Sequence, residues 1–293
     1  MLALAACGPS APPVGPSHKA AAPTYEASLD DVLGFLPVDS EIVIALDAHQ
    51  IRGTQIWAAL APRIEKEMGS DLDELRTACG FDPLKTVERV SIGLRAPDRG
   101  HMAGVVVVHG VGSGMLGCVK SRFGKGGAVI EDGNVAIIRE GDREQSAWTV
   151  LGSTLIVQID AQVSRDSIQT VLASGSPLRT SSAFMAMYNK LDHRASIWGV
   201  ANGRSHAFDE LDSEGIRPAT VAGTLSVTDH VIIAGRATFA DEAAAAKLDT
   251  LLKAAFAQVG KFIEHGESKA DGTRVEVGLS MSGAQLQTLL GSF

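Results

Sequence analysis

Three features are scarce in this sequence, and each scarcity argues against a class of protein. Aromatic residues make up only 5% of the chain, whereas a carbohydrate-binding protein is expected to expose many Trp and Tyr rings. No uninterrupted apolar run reaches the roughly 18 residues that a membrane-spanning helix needs. Basic residues number 26 against 34 acidic ones, and the net charge of −8 argues against the basic surface that nucleic acid requires. The three tryptophans, Trp57, Trp148 and Trp198, are expected in the core.

The sequence also lacks the short motifs that hold metals, phosphates or nucleophiles. Its eight histidines and three cysteines form no His-Glu-x-x-His and no Cys-x-x-Cys, and no Asp-rich calcium loop is present. Neither a Gly-x-Ser-x-Gly turn nor a Gly-Lys-Ser/Thr phosphate loop occurs. We therefore expect no metal, no cofactor and no catalytic residue.

The chain begins with Leu4-Ala5-Ala6-Cys7, which is a large apolar residue, two small residues and a cysteine. This pattern resembles the lipobox of bacterial lipoproteins, in which the cysteine is acylated and becomes the mature N-terminus. A complete secretory signal has a basic segment and an apolar stretch of about 7–15 residues, so residues 1–7 are interpreted as a truncated signal. The alternative is an ordinary Ala-rich tail that contains Cys7 by chance.

Residues 8–24 have the composition of a tether. They contain five of the eleven prolines of the chain, and most of the other residues are Ala, Ser or Gly. Such a segment buries too little apolar surface to offset the entropy of ordering it, so we expect it to be disordered and semi-stiff. We expect this segment to link a lipid anchor at the N-terminus to the folded body of the protein.

The rest of the sequence, from residue 25 to residue 293, predicts an α+β fold with two similar lobes, residues 25–175 and residues 176–293. Short apolar strands of the first lobe are joined by the turns Asp132-Gly133-Asn134 and Gly152-Ser153, which predict hairpins and hence an antiparallel sheet. The second lobe repeats this mixture, and Ser174-Gly175-Ser176-Pro177 marks the boundary. Each lobe is expected to be a mainly antiparallel sheet packed with helices.

The two lobes also share a local sequence pattern. Residues 35–47 and 190–202 each contain a helix end, a polar break, an apolar strand and a final carboxylate or amide. This similarity indicates a duplicated α+β unit. Chance similarity between two helix–strand joints is the alternative.

Two short joints carry a further resemblance. Leu36-Pro37-Val38-Asp39 leads into the first strand, and Gly80-Phe81-Asp82-Pro83 precedes a later strand. With these joints, the body from Ser28 to Phe293 resembles uncharacterised exported bacterial proteins with two similar lobes. The resemblance implies export and a two-lobed fold. It brings no catalytic residue, because that group has no established activity.

The glycine-rich stretch from Gly112 to Gly117 is the strongest enzyme-like signal. It follows the apolar strand Val105–Val108, and Asp132 comes about twenty residues later, where a dinucleotide-binding fold places its ribose-binding acid. The alternative function is therefore a dinucleotide-dependent oxidoreductase that binds its cofactor through Gly112, Gly114, Gly117 and Asp132.

Other observations favour a simple loop at this place. The helix after Gly117 must end before Gly124, which is too short to cross a parallel βαβ unit. The chain then turns back through Gly133-Asn134 into hairpins, so no second βα unit follows. A protein outside the cytoplasm would also meet little soluble dinucleotide.

Two cysteines, Cys79 and Cys118, remain as a pair if Cys7 is acylated. Cys79 ends a predicted helix, Cys118 lies on the short helix after the glycine loop, and two strands lie between them. The chain therefore leaves and returns to the same edge of the first lobe, which predicts a disulfide bond in an oxidising compartment. Two buried, reduced thiols are the alternative.

Taken together, the sequence predicts a lipid-anchored, exported protein of the periplasm or outer membrane. Its role is expected to be binding or structural, and not enzymatic. The expected partners are the membrane, through the lipid on Cys7, and an unidentified protein; nucleic acid is not expected.

Overall fold

The computed structural model describes residues 31, 33–98, 101–112, 114–123, 128–140, 144–173 and 177–290. The predicted signal and tether, residues 1–24, and the predicted lobe boundary at 174–176 lie outside these ranges. Within them, the fold is α+β, as predicted: a 12-stranded antiparallel sheet carries helices on both faces.

The strands of the two lobes have the following bounds. The first lobe contributes β1 (Ile42–Asp47), β2 (Arg89–Asp98), β3 (His101–His109), β4 (Ala128–Asp132), β5 (Val135–Glu140), β6 (Glu144–Leu151) and β7 (Thr154–Asp160). The second lobe contributes β8 (Ile197–Asn202), β9 (Thr220–Val227), β10 (His230–Thr238), β11 (His265–Asp271) and β12 (Arg274–Ser282).

The α-helices connect and cover these strands. They are α1 (Ala48–Arg52), α2 (Gln55–Cys79), α3 (Pro83–Thr86), α4 (Met115–Phe123), α5 (Arg165–Ala173), α6 (Ser182–Tyr188), α7 (Asp209–Ser213), α8 (Glu242–Val259) and α9 (Gly283–Leu290). Side-chain oxygens cap several of them at the N-terminus: Thr54 accepts a hydrogen bond from the Trp57 amide for α2, and Asp241 accepts one from the Ala244 amide for α8.

The strand order is β11-β12-β10-β9-β8-β1-β2-β3-β7-β6-β5-β4. The antiparallel strands predicted for each lobe are confirmed, but they belong to one sheet and not to two. The reason is that β1 and β8, the first strand of each lobe, pair with each other antiparallel. Both therefore lie in the middle of the sheet.

The pairing of β1 with β8 supports the internal duplication. Aligning residues 35–47 with 190–202 makes Ile44 equivalent to Gly199, and these two residues are also direct partners in the β1–β8 ladder. Equivalent residues that face each other in this way lie on a local twofold axis. Outward from that axis the first five strands follow the same order on both sides, β1-β2-β3-β7-β6 and β8-β9-β10-β12-β11, and the first lobe then adds β5 and β4.

The outer hairpins of the two lobes also match in detail. Leu151 pairs with Thr154 across the β6–β7 turn, and Asp271 pairs with Arg274 across the β11–β12 turn. Each turn thus has two residues, and its first is a glycine with positive φ: 60° at Gly152 and 58° at Gly272. Such turns match the right-handed twist of the strands.

The core lies on both faces of the sheet. We call the face that carries Val43 and Trp198 the front face; α5 and α6 cover it. On the opposite face, Met115 and Val119 of α4 pack on the first lobe, and Ala245 of α8 packs on the second. Successive residues of a strand point to opposite faces, so the apolar strands of the lobe centres serve both layers.

The matched turns generate a prediction about stability. Gly152→Ala and Gly272→Ala should each lower the free energy of unfolding by about 1–2 kcal/mol, because a Cβ is disfavoured in left-handed backbone. The control is Gly69→Ala inside α2, where an added Cβ meets nothing within 4 Å. That change should raise stability by about 0.8–1.0 kcal/mol through helix propensity. Urea titration measures all three, and a neutral effect at both turns would contradict the common turn geometry.

Candidate functional site

A row of polar side chains crosses four adjacent strands at one end of the front face. Asp47 of β1 is the direct partner of Arg89 of β2, Arg89 of His109 of β3, and His109 of Thr154 of β7. Direct partners in an antiparallel pair project to the same face. We call these four residues, Asp47, Arg89, His109 and Thr154, the polar row.

The inner half of the polar row is buried. His109 and Thr154 are 8% and 2% exposed, and the His109 Nδ1 lies 3.2 Å from the Thr154 hydroxyl. A hydrogen bond between them offsets the loss of water from both groups. These two residues therefore act as part of the core.

The outer half of the polar row borders a cavity of about 130 Å³. The half-buried Arg89 guanidinium makes no hydrogen bond or ion pair with any residue that the structure describes. One Asp47 carboxylate oxygen accepts a hydrogen bond from the Gln50 amide at 2.8 Å and so caps α1. The two opposite charges lie on neighbouring strands and do not pair with each other. The cavity is lined by Ala45, Leu46, Asp47, Arg89, Tyr188, His193, Ala195 and Trp198.

Three rings form the other wall of this cavity. The Tyr188 and His193 rings are stacked with centroids 3.9 Å apart, and the Trp198 ring meets Tyr188 edge-on at 5.2 Å. Burial raises the pKa of the Tyr188 phenol above its ordinary value. We call the group Asp47, Arg89, Tyr188, His193 and Trp198 the junction site, because its charges come from the first lobe and its rings from the second.

Hydrogen bonds in the neighbouring helices and loop fix the positions of the junction-site residues. Ser181 accepts a hydrogen bond from the Phe184 amide and starts α6, which carries Tyr188. The Gln50 side chain of α1 donates a hydrogen bond to the Arg194 carbonyl at 3.0 Å. This bond ties the helix that Asp47 caps to the loop that carries His193.

A buried polar group lies beside the junction site. Ser91 is on the front face of β2, two residues after Arg89, and is the direct partner of Ala45. It is 0% exposed, and its hydroxyl has no hydrogen-bond partner among the described residues. Such a group typically costs about 1–3 kcal/mol, so this part of the core is not optimised for stability alone.

A larger cavity of about 350 Å³ lies further along the front face, between the loop after α6 and strands β9 and β10. Its walls include Met187 and Leu191, and its floor consists mainly of Ala, Gly and Thr. Two cations border it, the exposed Lys190 and Arg236, and Arg236 is paired with Glu276 at 2.8 Å. Its acid, Asp192, is paired with Arg194 at 3.2 Å, whereas in the junction site neither Asp47 nor Arg89 makes an ion pair with a described residue.

The structure does not bring the predicted dinucleotide-binding residues together. Gly112 lies in the loop after β3, Gly114 directly precedes α4, and Gly117 lies within α4. Asp132 ends β4 at the outer edge of the sheet, and β7, β6 and β5 separate β4 from β3. These strands are antiparallel, whereas a dinucleotide fold places its ribose-binding acid after the adjacent parallel strand. A Cβ added at any of the three glycines meets nothing within 4 Å, so no close contact requires them there.

The predicted disulfide bond is confirmed. Cys79 at the end of α2 and Cys118 in α4 are bonded, with their Cα atoms 5.0 Å apart. The Arg76 side chain adds ion pairs at the same end of α2, to Asp82 at 3.0 Å and to Glu65 at 2.8 Å.

Cys7, the predicted lipidation site, lies outside the described residues. In the described part of the chain, no group of three or more His, Cys, Asp or Glu residues is placed to hold a metal ion.

The disulfide bond should contribute measurably to stability. It joins residues 39 apart in sequence, and the loss of chain entropy for such a loop predicts about 4 kcal/mol at most. The double variant Cys79→Ala/Cys118→Ala should lose up to this amount and should no longer respond to reductant. Thiol counting on the oxidised, denatured protein without Cys7 is the direct check. Two free thiols would show that the bond does not form.

Among the described helices, none combines the length and the apolar character needed to cross a bilayer.

No family model matches the chain, and no curated protein matches its sequence. Solved structures of TP0453 are similar in fold. Crystal form III gives a TM-score of 0.55 at 10% identity and covers 90% of this chain and 98% of that one. Crystal form I gives 0.54 at 10% identity, with 92% and 99% covered. At this identity the likeness shows the fold alone.

Proposed function

We propose that this chain is an exported, lipid-anchored protein that binds a small polar ligand at the junction site and has no catalytic role. The observation that carries the binding role is the unpaired Arg89 guanidinium beside a cavity that Asp47 and three rings also border. Guanidinium and carboxylate groups recognise ligands through charge-assisted hydrogen bonds, and rings supply rigid contact area.

Two observations support the compartment. Disulfide bonds persist in oxidising compartments such as the periplasm and are rare in the cytosol, and Cys79 and Cys118 form one. The sequence Leu4-Ala5-Ala6-Cys7 resembles a lipobox. We therefore assign the protein to the periplasm or the outer membrane, attached through a lipid on Cys7. A protein partner at that membrane is compatible with this role.

The oxidoreductase alternative receives no support from the geometry. Its acidic residue, Asp132, lies on β4 at the sheet edge, and its glycines lie around the start of α4. The junction site is on other strands.

The anchor is tested by Cys7→Ser. In a bacterium that acylates lipoproteins, the unchanged protein should enter the detergent phase, and mass spectrometry should find acyl chains on Cys7. Each buried methylene of such chains adds about 0.8 kcal/mol of membrane affinity, so two or three chains anchor stably. Cys7→Ser should move the protein to the aqueous phase, whereas Ser10→Ala should change nothing. A mature protein that keeps an unmodified Cys7 would disprove the anchor.

A further inference from the structure

We propose that the junction site binds the head group of a free α-amino acid, with Arg89 contacting its carboxylate and Asp47 its ammonium group. This inference rests on the proposed ligand-binding role and names the class of ligand. It depends on three properties of the site: its pair of charges, its size and its rings.

The charges are arranged for a ligand that carries both signs. Asp47 and Arg89 are direct partners on β1 and β2, and such positions bring Cα atoms to about 4.5–5.5 Å. Opposite charges at such positions are close enough to form a stabilising cross-strand pair. Here they border a common cavity and make no ion pair with each other. A zwitterion between them would satisfy both, whereas a simple anion or cation would leave one charge uncompensated.

The cavity is large enough for an amino-acid head group. Its volume of about 130 Å³ is several times that of one water molecule, so it has room for a small group of non-hydrogen atoms. The nitrogen, the α-carbon and the carboxylate of an amino acid make up such a group. A disaccharide, a nucleotide or a folded peptide is too large to be enclosed by a cavity of this volume. The side chain of the ligand would remain at the mouth of the cavity, beside the exposed His193.

The rings complete the recognition of the ammonium group. An ammonium ion is attracted to the face of an aromatic ring within about 6 Å of its centroid. Tyr188 and Trp198 line the same cavity as Asp47, so one cation can contact the carboxylate and a ring together. The stack of Tyr188 on His193 at 3.9 Å limits the motion of these rings.

The Asp47 and Arg89 side chains can be tested without disturbing the fold. Asp47→Asn removes the charge and keeps the cap of α1, because Asn caps helices as well as Asp does. Arg89→Gln removes a guanidinium that has no partner among the described residues. Matched controls are Asp71→Asn on α2 and Arg274→Gln on β12, both exposed and outside the cavity.

Titration of the isotopically labelled protein by NMR tests the proposal. Glycine, alanine and leucine should each cause saturable shifts of the Trp198 indole and the His193 ring. Glycinamide, N-acetylglycine, acetate and methylammonium each lack one charge and should bind at least about tenfold more weakly. Asp47→Asn and Arg89→Gln should weaken glycine binding by a similar factor, and the two controls should leave it unchanged.

Three results would overturn the proposal. Acetate binding as tightly as glycine would make the cavity a plain anion site, and methylammonium doing so would make it a cation site. In either case the ligand-binding role would stand and the amino-acid assignment would fall. If no compound shifts the Trp198 or His193 signals, both the assignment and ligand binding at this site are wrong. The anchor on Cys7 is judged independently by its own test.

Discussion

The antiparallel pairing of β1 with β8 is the interaction on which the rest of the structure depends. Backbone hydrogen bonds close this ladder at both ends, from the Asp47 amide to the Ser196 carbonyl at 2.7 Å and from the Asn202 amide to the Glu41 carbonyl at 2.8 Å. Because each lobe contributes its first strand, neither strand is left as an edge. The open edges of the sheet are β4 and β11, and β11 carries the exposed charges Glu267, Lys269 and Asp271, which discourage pairing with other chains.

The junction site exists because of this pairing. Asp47 and Arg89 stand on strands of the first lobe, and Trp198 stands on β8, where it is the direct partner of Ala45. α2 reinforces the connection: Ile56 near its start packs with Val227 of the second lobe, and the Cys79–Cys118 bond holds its end to α4 of the first. A ligand in the junction site would contact both lobes, so its binding should oppose their separation.

Local sequence patterns predicted the features that depend on neighbouring residues. The Gly152-Ser153 hairpin follows from turn chemistry. The antiparallel class follows from several such turns, and the Cys79–Cys118 bond from a short path between two helices. The continuity of the sheet could not be predicted, since nothing in β1 specifies that its free edge is covered by a strand 155 residues later.

The junction site could not be predicted either, because it also depends on long-range strand pairing. Arg89, Asp47 and Trp198 come together only through the registers of β1 with β2 and with β8, which are set by tertiary packing. The sequence predicts Trp198 in the core, and it is 5% exposed, yet it also lines the cavity. The glycine stretch at 112–117 indicates a dinucleotide site because its spacing matches the glycine motif of dinucleotide-binding folds. Such a motif binds a dinucleotide only beside an adjacent parallel strand, and the strands of this sheet are antiparallel.

Native-state hydrogen exchange of the β1 and β8 amides tests the central claim most directly. If the two strands pair in the middle of one sheet, the amides of Val43 and Val200 should exchange only through global unfolding, with the same free energy in both strands. Their exchange should also show the denaturant dependence of complete unfolding. If either strand exchanged through a separate opening of lower free energy, while the rest of its own lobe stayed protected, the lobes would be independent and the account would be wrong.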